Sequence, residues 1–105
     1  PMPEPSATEK ARRLREDAWL GDAVLALHAR IHLLDTYGGI DADAFKRLTS
    51  NDFLAGLGLG SPTAVEARIG RLYREEGPEA ARAFIVETLL PHFKKREDKR
   101  RRAGR

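Results

Sequence analysis

The chain has 105 residues, a third of them charged, with no cysteine and a formal net charge of +3. Without cysteine it has neither a disulfide framework nor a thiolate metal site, which fits a reducing compartment. It also has no run of eighteen apolar residues and no apolar N-terminal stretch of the kind that opens a signal peptide. Neither membrane nor secretion is indicated, and a soluble, cytoplasmic protein is expected.

Residues 1–7, PMPEPSA, hold three of the six prolines and are expected to be disordered. A helix is predicted from about Thr8, a candidate N-cap, and it either continues through Gly21 or breaks there. Along AWLGDAVLALHARIHLL, the residues Leu20, Val24, Leu27, Ile31 and Leu34 recur at steps of four and three. That spacing lays one apolar stripe along at least four helical turns. The DTYGGI turn ends the helix.

The segment DADAFKRLTSNDFLAGLGLG then reads as two short helices, the second capped by Ser50 or Asn51. Ser61-Pro62 opens a further helix that runs to Gly77 with Val65, Ile69, Leu72 and Tyr73 on its apolar face, leaving Glu66 off that stripe. A last helix begins near Pro78 and presents Ala81, Phe84, Ile85, Thr88 and Leu89 on one side. No segment alternates as a strand would, so the predicted class is all-α, with five or six helices in a domain over residues 8–93. So small a domain buries only about 60–65% of the surface its unfolded chain exposes, and pairing with a second copy is expected.

The charge is uneven. Residues 94–105, KKREDKRRRAGR, carry eight basic side chains against Glu97 and Asp98, a surplus of six that leaves residues 1–93 at −3. This basic C-terminal tail is either a solvated terminus or a source of salt-sensitive attraction to nucleic-acid phosphates.

Asp22 is unusual beside Gly21 in an apolar helix. By itself it reads as an exposed carboxylate opposite the stripe. Two carboxylates on different helices that share a cleft can hold a hard cation such as magnesium. Asp22 and Glu66, 44 positions apart, form such a pair only if the fold unites them.

Three blocks in order bear on that question. WLGDAVLALHAR (Trp19 to Arg30) resembles the signature helix of ribonuclease III, in which an aromatic and an aliphatic residue precede Gly-Asp. TAVEARIGRLYREEGPEAARAFI (Thr63 to Ile85) resembles the second block of that family, with its Glu ahead of an aliphatic-Gly pair and an Ala-Ala-Arg helix. LTSNDFLAGLGLG is similar to the Ser-Asn-x-x-Leu segment between them.

The resemblance spans roughly 70 residues and implies a dimeric, metal-dependent endoribonuclease acting on double-stranded or structured RNA such as rRNA precursors. It further implies Asp22 and Glu66 as the catalytic, metal-binding carboxylates, Mg2+ as cofactor with Mn2+ as a substitute, and a homodimer formed through the helix around residues 19–34. RNA would be positioned by Arg68, Arg71 and Arg74 and by Lys94, Lys95, Arg96, Lys99, Arg100, Arg101 and Arg102. For the first three, ordinary solvated surface is the competing reading.

Two acids of the usual family pattern are missing, since Ala18 and Thr63 stand one helical turn before Asp22 and Glu66. The compact Mini-ribonuclease III subgroup, which lacks a separate double-stranded-RNA-binding domain, is similar in this respect. A second expectation therefore stands beside the first: a catalytically degenerate ribonuclease III-like protein that binds RNA or the ribosome. A plain protein-protein module, with the tail as a localisation signal, is a third. His28 and His32 have the i, i+4 spacing of a metal pair but lack an evident third ligand, and Trp19 is expected in the core or in a dimer contact.

Overall fold

A computed structural model describes residues 3–104, and these are helical with no strand. The order is α1 (Ala7–Tyr37), α2 (Ala42–Leu48), α3 (Asn51–Ala55), α4 (Pro62–Glu76), α5 (Pro78–Phe84), a π turn (Ile85–Leu89) and α6 (Leu90–Ala103). The expected all-helical class is what the chain adopts. Of the disorder expected over residues 1–7, positions 1 and 2 lie outside the described residues, while Ser6 already caps α1 by accepting a hydrogen bond from the Glu9 N–H at 3.1 Å.

Short polar side chains start α2, α3 and α4 as well. Asp41 accepts from the Ala44 N–H, Ser61 from the Ala64 N–H, and Ser50, one of the two residues expected to do so, from the Phe53 N–H. The final rod carries a π turn just ahead of Pro91. Proline has no N–H to give to the carbonyl four residues back, and the register slips by one, so that the Leu90 N–H bonds to the Ile85 carbonyl.

α1 does not break at Gly21, because that glycine is where it meets α4. A Cβ on Gly21 would collide with the Glu66 carbonyl oxygen and lie 2.9 Å from the Gly70 nitrogen, and a Cβ on Gly70 would collide with the Asp17 carbonyl oxygen. The two backbones touch at this crossing. Gly21, Leu25, Ala29 and Leu33 therefore form the inward face of α1, and they bury against Val65 and Ile69 of α4, Leu48, Phe53 and Leu54 of α2 and α3, and Ala81, Ile85, Leu89 and Phe93 of the final rod.

The stripe expected from Leu20, Val24, Leu27, Ile31 and Leu34 sits on a second face. Val24 is buried and Leu20 packs against the core, but Leu27, Ile31 and Leu34 are 55%, 45% and 49% exposed. Trp19 is 81% exposed, which removes it from the core. The reason is steric: close approach of α4 needs small residues at the contact, and these lie on the glycine and alanine side of α1.

Residues 94–102 are helical, continuing α6, rather than a separate tail. Glu97 is buried there, at 6% exposure, and takes three hydrogen bonds: two from the Arg47 guanidinium at 2.8 and 3.0 Å and one from the Tyr37 hydroxyl at 2.9 Å. The hydrogen bond from Arg47 is the main reason the Glu97 carboxyl is held below its ordinary value despite burial, with Tyr37 adding to it. The molecule is elongated, 59 × 24 × 20 Å, since the first turns of α1 stand clear of the body with every side chain from Ala7 to Glu16 exposed.

Gly70→Ala tests the crossing. Alanine raises helix propensity by about 1 kcal/mol, but the collision should outweigh that and lower unfolding stability by about 1–3 kcal/mol in urea denaturation. An unchanged or raised midpoint would mean that α1 and α4 do not meet there.

Candidate functional site

The glycine crossing determines what stands beside it. Asp22 follows Gly21 on α1, and Glu66 lies on α4 with its own carbonyl oxygen against Gly21, so two acids far apart in sequence come together on one flank of the crossing. Asp22 is exposed and Glu66 half-buried. Burial first, then a hydrogen bond donated to Asp22 and the like charge of that residue, push the Glu66 carboxyl from 4.5 up to about 7. Near neutral pH the Glu66 carboxyl is therefore about half protonated.

A pair of this kind suits a small hard cation that keeps most of its water, because Mg2+ commonly binds through one or two carboxylates with substrate phosphate completing the shell. It does not suit an ion that needs a protein cage. Among the described residues no group of three or more His, Cys, Asp or Glu side chains converges to hold a metal. Ala18 and Thr63, a turn before each acid, add no oxygen anion.

The arginines expected to position RNA do not converge on the acids. Steps of three along a helix rotate the side chain by about 60°, so Arg68, Arg71 and Arg74 fan around α4. Arg68 lies over the Phe84 ring at 4.5 Å, Arg74 pairs with Asp17 at 3.1 Å, and Arg71 is exposed.

On α6 the basic residues divide by face. Lys94 pairs with Asp98 at 3.1 Å, Arg101 lies near Asp98 at 3.9 Å and over the Tyr37 ring, and Arg96 pairs with Asp52 at 2.7 Å. Lys95, Lys99, Arg100 and Arg102 are exposed and make no ion pair among the described residues. His28 and His32 are both held below the usual histidine range, chiefly by burial. His32 lies 3.4 Å from the Thr36 hydroxyl.

The residues that sequence reasoning missed are Arg47 and Tyr37, with Glu97 as their partner. A signal for Glu97 existed, since Ala81, Ile85, Leu89 and Phe93 recur every four residues and the next step lands on it.

Comparison with family models, with curated proteins and with solved structures returned no match.

Carboxyl-carbon NMR titration should place Glu66 near 7 in the metal-free protein, and Asp22→Asn should lower that value while leaving it above 4.5, because burial remains when the like charge is gone. The sign for folding follows. A carboxyl raised from 4.5 to about 7 stabilises the fold fully below pH 4.5, and that contribution is lost as pH rises through 7. A Glu66 titration unmoved by Asp22→Asn would separate the two side chains.

Proposed function

We propose that this chain is a metal-dependent endoribonuclease that cleaves double-stranded or structured RNA, such as rRNA precursors, as a homodimer of ribonuclease III type. The observation that carries the reading is the meeting of Asp22 and Glu66 at the Gly21–Gly70 crossing, where the resemblance in sequence requires the metal-binding pair to lie.

Asp22, exposed, and Glu66, half-buried behind it, offer carboxylate oxygens to Mg2+ or Mn2+ at a surface that a phosphodiester can reach. Such an ion, when bound, supplies Lewis acidity to the scissile phosphate and acidifies its water. Glu66 must release its proton to serve as a ligand, so metal affinity rises with pH through about 7. Asp22 holds the charge that draws the ion in. The basic residues of α4 and α6 contribute sequence-independent attraction to the RNA backbone, in keeping with recognition of duplex RNA by shape and phosphates.

The second copy is assigned to the exposed stripe of α1. Leu27, Ile31 and Leu34 form an exposed apolar row along α1, flanked by Leu20 and Ala23. A row on one straight helix is self-complementary under a twofold axis. This is the partner surface expected from the helix around residues 19–34. Cytoplasmic placement rests on composition, and no described helix is long and apolar enough to cross a membrane.

A second reading, a degenerate RNA-binding protein, is favoured by the absence of acids at Ala18 and Thr63 beside the pair. One assay separates them. Pure protein with long duplex RNA and Mg2+ or Mn2+ at low salt should cut both strands. Asp22→Asn and Glu66→Gln should each reduce the rate at least a hundredfold, in line with the loss of a group that acts directly in catalysis. Ile31→Glu should give a monomer by light scattering and lose double-strand cleavage with it. Duplex binding without any cleavage under either metal favours the second reading.

A further inference from the structure

Two basic residues of α6, Arg96 and Arg100, face the ends of α2 and α3. Phe93, Arg96, Glu97 and Arg100 fall on one face of the helix, at steps of three and four. With Lys46, Arg47 and Ser50 of the α2 end and Asp52 and Phe53 of α3, they enclose a cleft of about 490 Å³. Its floor is the edge-to-face pair of Phe53 and Phe93, with ring centroids 5.6 Å apart.

Both acids at the cleft are already engaged by arginines, Glu97 by Arg47 at 2.8 Å and Asp52 by Arg96 at 2.7 Å. They are not free to receive a cationic ligand. Lys46 and Arg100 are exposed and make no ion pair among the described residues, which leaves the cleft a surplus of two positive charges. The two engaged arginines are also held in place. Arg47 is locked by two hydrogen bonds to a carboxylate that Tyr37 also holds, and Arg96 lies over the Phe53 ring at 5.5 Å. A guanidinium held from behind loses little freedom on meeting a phosphate, and its remaining N–H groups are directed donors.

We propose that this cleft is a binding site for the phosphate backbone of duplex RNA, with Lys46 and Arg100 as the mobile contacts and Arg47 and Arg96 as the fixed ones. The choice of ligand rests on the ribonuclease reading, and the position of the cleft is independent of it. Tyr37, which touches the cleft's Glu97, is fifteen residues along α1 from Asp22, roughly 22 Å at 1.5 Å per residue. The cleft therefore takes a phosphate well removed from the acidic pair. Within the cleft Arg96 and Arg100 stand one helical turn apart, two cations in succession as a regularly charged polymer favours.

The test uses the full chain carrying Asp22→Asn, so that RNA stays intact, and a labelled mixed-sequence RNA duplex followed by fluorescence anisotropy across a salt series. Lys46→Gln with Arg100→Gln removes two charges from the cleft without touching an ion pair. Arg12→Gln with Arg13→Gln removes two from the exposed start of α1. The cleft pair should weaken binding several-fold and reduce the slope of log affinity against log salt by about two, close to one unit for each phosphate that is no longer neutralised. The α1 pair should change the slope by much less.

Equal effects from both pairs would overturn the proposal, since net charge alone would then explain binding. Displacement of the duplex by poly-glutamate as readily as by unlabelled RNA would overturn it too, in favour of an acidic peptide. Failure of the wild-type protein to cleave, with the cleft-dependent slope intact, would count against the nuclease reading and leave the cleft standing.

Discussion

Two helices can approach until their backbones touch only where neither carries a side chain at the contact, and that condition is met where Gly21 of α1 sits on the Glu66 carbonyl and Gly70 of α4 on that of Asp17. Everything nearby follows from this closeness. The residue after one glycine and the residue four before the other are carried to the same flank, so the acids inherit their proximity from the backbone. The same closeness half-buries Glu66, and burial is the largest reason that its proton is held up to about 7. A crossing opened by even one methyl group would separate the acids and hydrate Glu66 in one stroke.

At the other end of the molecule a buried ion pair takes the place of a glycine contact. Glu97 is satisfied by three hydrogen bonds from Arg47 and Tyr37, which ties α6 to the ends of α1 and α2. A buried carboxylate is costly unless paired, and leaving either partner alone is typically worse by about 3–5 kcal/mol. The arrangement thus contributes placement more than net stability: it sets the angle at which a strongly basic helix leaves the body. With the Phe53–Phe93 contact beneath it, the pair helps to build a positively lined cleft.

Much of this is legible in sequence, and the failures have definite causes. The helix starts at Ser61 and Ser50, the stop at Gly77, the inward face of the final rod and, apart from Tyr73, which is 38% exposed, that of α4 follow from caps and from steps of three and four, which report local backbone geometry. The inward face of α1 is not legible in the same way. It has two faces able to pack, one of bulky Leu27, Ile31 and Leu34 and one of Gly21, Leu25, Ala29 and Leu33, and hydrophobic strength points to the first whereas closeness of approach selects the second. The basic segment after residue 93 reads wrongly as a tail because composition averages over faces. One buried Glu97 among many exposed cations is invisible to a charge count, yet it makes the segment part of the fold. The pairing of Asp22 with Glu66 comes from similarity to an ordered set of motifs, since nothing in a spacing of 44 positions encodes contact.

The central claim is that one small cation can be held by both acids at once. Substoichiometric Mn2+ added to the isotopically labelled protein at pH 8, where Glu66 has largely lost its proton, reads this directly through paramagnetic broadening of backbone amides. Signals of residues 21–23 and 65–67 should fade together and before all others, and Asp22→Asn should protect both groups. Broadening at only one of the two segments, or spread evenly over the exposed acids of the surface, would contradict a shared site.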